Sequence, residues 1–104
     1  MDKTKRAYID ELAKKLEGVD QCDSDWEKYV RKLYMAIIGT HMASLLQLVK
    51  DGPVHDGDVI SKSLRDDLVE WKLATRVMCR DAFGYTAATY LGGFVARQHK
   101  NEKS

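Results

Sequence analysis

Apolar residues recur at spacings of three and four along most of the chain, which is the signature of helices that bury one face. Ile9, Leu12, Leu16 and Val19 form the first stripe and predict a helix from about Thr4 to Glu17, with Gly18 placed to stop it. The polar run "VDQCDSDW" follows. Ser24, with Glu27 three residues later, forms a capping box that starts a second helix at Asp25. Trp26, Val30, Leu33, Ile37, Leu45 and Leu48 carry that helix to about Val49. Gly52, Pro53 and Gly57 then break the chain. A third helix is expected to begin between Asp58 and Ser63, with Leu64, Leu68, Trp71, Thr75 and Met78 on one stripe. Gly84 interrupts or bends it. Thr86 is the expected N-cap of a fourth helix from Ala87 to about His99, and residues 99–104 read as a polar tail.

The stretch 33–49 contains no charged residue. It is shorter than the roughly 20 residues a membrane-spanning helix needs. It also carries Thr40, His41, Ser44 and Gln47, so it reads as the buried central helix of a bundle and no membrane partner is expected. The single proline and the scarcity of alternating β-branched runs argue against a β-rich fold. The expected fold is therefore all-α: a compact bundle of three to four helices around a central, largely apolar helix at about residues 25–49. One helical domain over residues 1–104 is expected from the length.

Small residues add a second pattern. Ala36, Gly39 and Ala43 fall on the second predicted helix, and Ala88, Gly92 and Ala96 on the fourth, in steps of three and four. Such a face lets another backbone come close. Each helical glycine costs about 1 kcal/mol relative to alanine, so the pair Gly92-Gly93 calls for a compensating close contact. The expected contact is the second helix or a second copy of the chain.

Composition narrows the function classes. Apolar residues make up 44% and charged residues 32%, as in folded globular domains, and the net charge of +1 supplies no global field toward polyanions. Two cysteines far apart, Cys22 and Cys79, and a charged N-terminal run without a secretory leader point to reduced thiols and a cytoplasmic location. His41, His55 and His99 lie in three elements, and neither cysteine has a partner at zinc spacing. Reading Asp56 as the start of a calcium loop fails, because Ile60 would stand at a ligand position and Ser61 at the turn glycine. His41 reads as a core histidine satisfied by a tyrosine hydroxyl or a backbone carbonyl. Asp66 and Asp67 read as first-turn acids of the third helix. No phosphate-binding glycine signature is present. No catalytic residue, metal or cofactor is assigned, and an enzyme is not expected.

Two surfaces remain as candidates. The segment "AFGYTAATYLGGF" concentrates aromatic residues, and a chain this short cannot bury them all. Phe83, Tyr85, Tyr90 and Phe94 are accordingly the candidate partner-binding residues, near the C-terminal helix. The expected function is a non-enzymatic binding protein, such as a regulator, inhibitor or assembly subunit, whose partner is another protein or a second copy in a homodimer. The alternative is association with nucleic acid. Lys72, Arg76 and Arg80 recur every four residues on the predicted third helix, with Arg65 on the same side and Arg97 at a basic end.

Overall fold

The computed structural model describes residues 3–19, 24–79 and 82–103. The elements run α1 (Lys3–Glu17), α2 (Ser24–Ile37), α3 (Thr40–Asp51), β1 (Val54–His55), α4 (Lys62–Glu70), β2 (Ala74–Cys79), β3 (Ala82–Ala88) and α5 (Tyr90–Lys103). The first helix is the expected one, with Ile9, Leu12, Ala13 and Leu16 on its buried side. No single helix among the described residues is long and apolar enough to cross a membrane.

The long second helix is two. Gly39 takes φ 119°, a left-handed conformation that ends α2, and α3 restarts with the Ala43 amide donating to the Gly39 carbonyl at 3.0 Å. The two helices are bent from one another by 115°. This turn lets α3 pack against α4, α5 and the strands. Leu45 and Leu48 of α3 are buried there, in one apolar cluster with Ile9, Val30, Leu33, Leu68, Trp71 and Val95.

The all-α bundle is overturned by a three-stranded antiparallel sheet in the order β1-β3-β2. The third predicted helix ends where α4 ends, and its second half is β2. Ser61 caps α4, its hydroxyl accepting from the Leu64 amide at 3.3 Å. The other end closes in a Schellman turn. The Leu73 amide donates to the Leu68 carbonyl at 2.9 Å, the Lys72 amide donates to Val69 at 3.1 Å, and Lys72 itself sits at φ 64°. Leu73 and Ala74 turn inward and are buried, whereas Thr75 and Met78, placed on the helical stripe by spacing, are exposed.

The fourth helix also starts later than expected. Thr86 is a fully buried strand residue and not an N-cap. Thr89 takes that position: its hydroxyl accepts from the Gly92 amide at 3.1 Å and its carbonyl from the Gly93 amide at 2.9 Å. The same hydroxyl donates to the Lys72 carbonyl at 2.7 Å, which ties the start of α5 to the turn after α4.

Gly92 explains half of the glycine pair. A Cβ there would overlap the Leu73 carbonyl oxygen and stand 2.9 Å from its carbon and 3.2 Å from Leu45 Cδ1. The close approach is therefore to the turn before β2, with α3 alongside. A Cβ on Gly93 meets nothing within 4 Å. Ala96 is buried on the same helix, while Ala88 belongs to β3.

Candidate functional site

Strand register divides the sheet into two faces. Val54 pairs with Thr86, Arg76 with Thr86, and Ala74 with Ala88, so these residues share one face. Val54, Ala74 and Thr86 are all buried, which marks that face as the one packed on the helices. His55 and Val77 pair with Tyr85, and Thr75 pairs with Ala87, on the opposite face. There Thr75 and His55 are exposed and Val77, Tyr85 and Ala87 are half-buried. A β-bulge shifts the register between Val77 and Cys79, so Phe83, 82% exposed, stands beyond this alternation at the far end of β3. The buried side chains place the described helices on the first face, and the second, open face carries the apolar side chains of Val77, Tyr85 and Ala87 where a solvated antiparallel sheet ordinarily carries polar ones. The edge of β2 away from β3 has no strand against it among the described residues.

The open face continues into a groove of about 390 Å³ between the end of α3, the end of β3 and α5. Ala87, Tyr90, Gly93, Val49 and Arg97 line it. Tyr90 is 63% exposed, and the bare Gly93 leaves room beside it. Of the four aromatic candidates, Phe83 and Tyr90 are strongly exposed, and Tyr85 is half-buried with its ring 5.2 Å from that of His55. Phe94 does not join them. It is half-buried, its ring edge-on to Trp26 at 4.6 Å, and it serves the core side of α5.

The basic candidates are dispersed. With residues 74–79 extended, Lys72 and Arg76 do not form a helical stripe, and Arg80 lies outside the described residues. Arg65 is buried and donates to Asp56 at 2.6 Å and to Asp66 at 2.7 Å. Arg76 grips the same Asp56 with both terminal nitrogens, at 2.6 and 2.8 Å, and reaches the Thr86 hydroxyl at 3.1 Å. The Arg76 hydrogen bonds, with Arg65 close by, outweigh desolvation and hold Asp56 at about 2, well below the usual carboxylate value. The backbone contributes as well: the Asp56 amide donates to the Gly84 carbonyl at 2.8 Å, and Gly84 at φ 90° leaves space for the Asp56 carboxylate. Two of the five basic candidates are therefore spent locking the loop after β1 onto β2 and α4.

No protein-family model, curated protein or solved structure matches this chain.

A second cluster was not legible in the sequence. His41 Nε2 lies 2.8 Å from Asp67 Oδ2, and Arg6 donates to both oxygens of Asp67 at 2.8 and 3.0 Å. Burial pushes the Asp67 carboxyl up, but the hydrogen bonds from Arg6 and His41 outweigh it and the net shift is downward. The Trp71 indole donates to Asp10 at 2.7 Å, and its ring lies against His41 and under Arg6. His41 is thus satisfied by a carboxylate from another helix and not by a hydroxyl or a backbone carbonyl. Asp67 lies well past the first turn of α4, so its role is the tie to Arg6 and His41. With both Asp67 oxygens engaged and the imidazole buried, the cluster fastens α1, α3 and α4 together.

Proposed function

We propose that this protein is a non-enzymatic binding module that works through the open face of its sheet and the adjoining groove at the start of α5. The observation that carries this reading is the exposure of two aromatic side chains, Phe83 on β3 and Tyr90 at the start of α5, on either side of the half-buried Tyr85 and Ala87 along the chain. Large aromatic side chains exposed on a small domain are costly to leave in water and are a usual mark of a protein contact. The first occupant to test is a second copy, because β2 offers an unpaired edge next to that face.

Sedimentation velocity tests it. The wild-type chain should gain mass with concentration around about 10–100 µM, the range of a modest interface, and Phe83→Asp should remain monomeric there. A monomer at every concentration, or equal association by Phe83→Asp, rejects self-association through this face.

Nucleic acid is the weaker reading. Arg65 and Arg76 have their charge matched by Asp56 and Asp66, which leaves Lys72 and Arg97 separated on different elements. The surface of His41 and Asp67 offers no better route to catalysis, since their polar atoms are already committed to each other and to Arg6.

A further inference from the structure

We infer that the groove along α2 binds an acidic amphipathic helix, through contacts separate from the sheet face. This groove, about 800 Å³, lies along α2 beside Lys5 and Tyr8 of α1. Its lining positions on α2 run from Ser24 to Ala36 at helical spacing, so it follows one face of that helix nearly end to end. At 1.5 Å per residue that is roughly 18 Å, the length of a helix of about three turns.

Two properties of the lining select the ligand. Among the described residues, Lys5, Lys28, Arg31 and Lys32 stand in it with one acid, Glu27, although the whole chain is nearly neutral. Lys5 and Arg31 hold other contacts as well, and Lys32 lies 6.0 Å from the Tyr29 ring centre, a weak contact it can exchange, so the pairing is carried mainly by Lys28 and Lys32. Between these cations the groove offers Tyr8 and Met35, both large, apolar and about half exposed. A helix with leucine or phenylalanine on one stripe and glutamates beside it meets both demands: its apolar stripe covers Tyr8 and Met35, and its carboxylates reach the lysines. Methionine suits such a site because its unbranched side chain adapts to the shape laid on it. A nucleic-acid strand is served less well. Glu27 stands in the same wall and repels phosphate, and Met35 gives a sugar-phosphate chain nothing to bond.

Fluorescence anisotropy tests this with three labelled probes. They are a peptide of about 14 residues with leucines at one helical stripe and glutamates elsewhere, the same peptide with lysines for glutamates, and a single-stranded DNA of about the same length. The acidic peptide should bind the intact protein with a dissociation constant on the order of 10–100 µM, weakening as salt rises. Lys28→Glu with Lys32→Glu should weaken it at least about tenfold, and Met35→Asp comparably, with thermal melts unchanged because all three side chains are exposed. Lys28→Gln with Lys32→Gln is the milder pair if charge reversal alters the melt, and it should weaken binding in the same direction. Absence of saturable binding, equal binding of the lysine peptide, or acidic-peptide binding that survives these substitutions overturns the inference. DNA that binds more tightly than the peptide and is lost with the same lysines also overturns it, in favour of nucleic acid. Phe83→Asp should leave peptide binding intact, which separates failure at this groove from failure at the sheet face.

Discussion

The imidazole of His41 and the carboxylate of Asp67 meet at 2.8 Å between α3 and α4, and Arg6 of α1 holds the same carboxylate with two further hydrogen bonds. The two side chains that meet are only 9% and 14% exposed, so the pair is largely shielded from water. Removing one partner of such a pair leaves the other buried and uncompensated. Asp67→Ala should therefore lower unfolding stability by roughly 3 kcal/mol, measured by urea denaturation. Glu11→Ala, which removes the exposed partner of Lys15, should cost less than about 0.5 kcal/mol.

Asp56 gives the protein an acid-sensitive lock. Its folded-state value, about 2, lies below the ordinary 3.8. Stability from this group is therefore fully present above the unfolded value and is lost as pH falls through about 4 toward 2. Asp67, also shifted downward, acts in the same sense. Melting temperature followed from neutral pH downward should drop through that window, and Asp56→Asn should flatten part of the drop. An Asp56→Asn protein with the same acid limb as the wild type would show that the Arg65 and Arg76 contacts do not couple to folding.

The two adjacent glycines should behave as opposites. Gly92 lies against the Leu73 carbonyl, which the Thr89 amide also engages at 3.1 Å, so that backbone has little freedom to retreat. Gly92→Ala should destabilise by about 2–4 kcal/mol through overpacking. Gly93 faces open space in the same helix, and Gly93→Ala should be neutral to stabilising by up to about 1 kcal/mol. Thermal or urea unfolding of the two single variants decides it.

Lys72 is the one described non-glycine residue with positive φ, at 64°, and it occupies the position of a Schellman turn that glycine usually fills. A side chain there costs about 1 kcal/mol, partly offset by glycine's greater freedom in the unfolded chain. Lys72→Gly should raise stability by about 0.5 kcal/mol, read as a shift in the urea midpoint without a change in slope.

Legibility in the sequence followed the range of the interactions. The stripe Ile9, Leu12 and Leu16 involves residues within one helix, and α1 matches it. Ser24 marks a helix start by local capping and falls at the observed start of α2, and the start of α4 falls inside the expected window from Asp58 to Ser63. Leu68, Trp71, Thr75 and Met78 fit a helical period by coincidence, which is why the pattern predicts a helix where β2 stands. What ends the helix is Lys72 in a conformation that its identity does not announce. Once the chain turns there, Thr75 and Val77 find partners in β3, and β-branched residues suit a strand. Thr86 and Thr89 illustrate the same limit. Thr86 is the cap that local pattern selects, and the helix is capped by Thr89 instead because residues 82–88 pair with β2.

The candidate site was legible in part. Exposure of Phe83 and Tyr90 followed from a chain too short to bury every aromatic residue. That Phe94 turns toward Trp26 depends on a contact across the fold. The neutralisation of Arg65 and Arg76 depends on Asp56, which reaches them from a loop 9 and 20 residues away. His41 and Asp67 are separated by 26 residues, beyond any helical spacing rule.

The proposed binding surface is the open sheet face together with the groove beside it. Amide NMR spectra of the wild-type chain, recorded across dilution from about 1 mM to about 20 µM, test it most directly for self-association in the modest-affinity range. The shifts that move should cluster at residues 75–78, 83–87, 90 and 93, and should cease to move in Phe83→Asp. Spectra that do not change with dilution, or changes centred on α1 and α2, would contradict it.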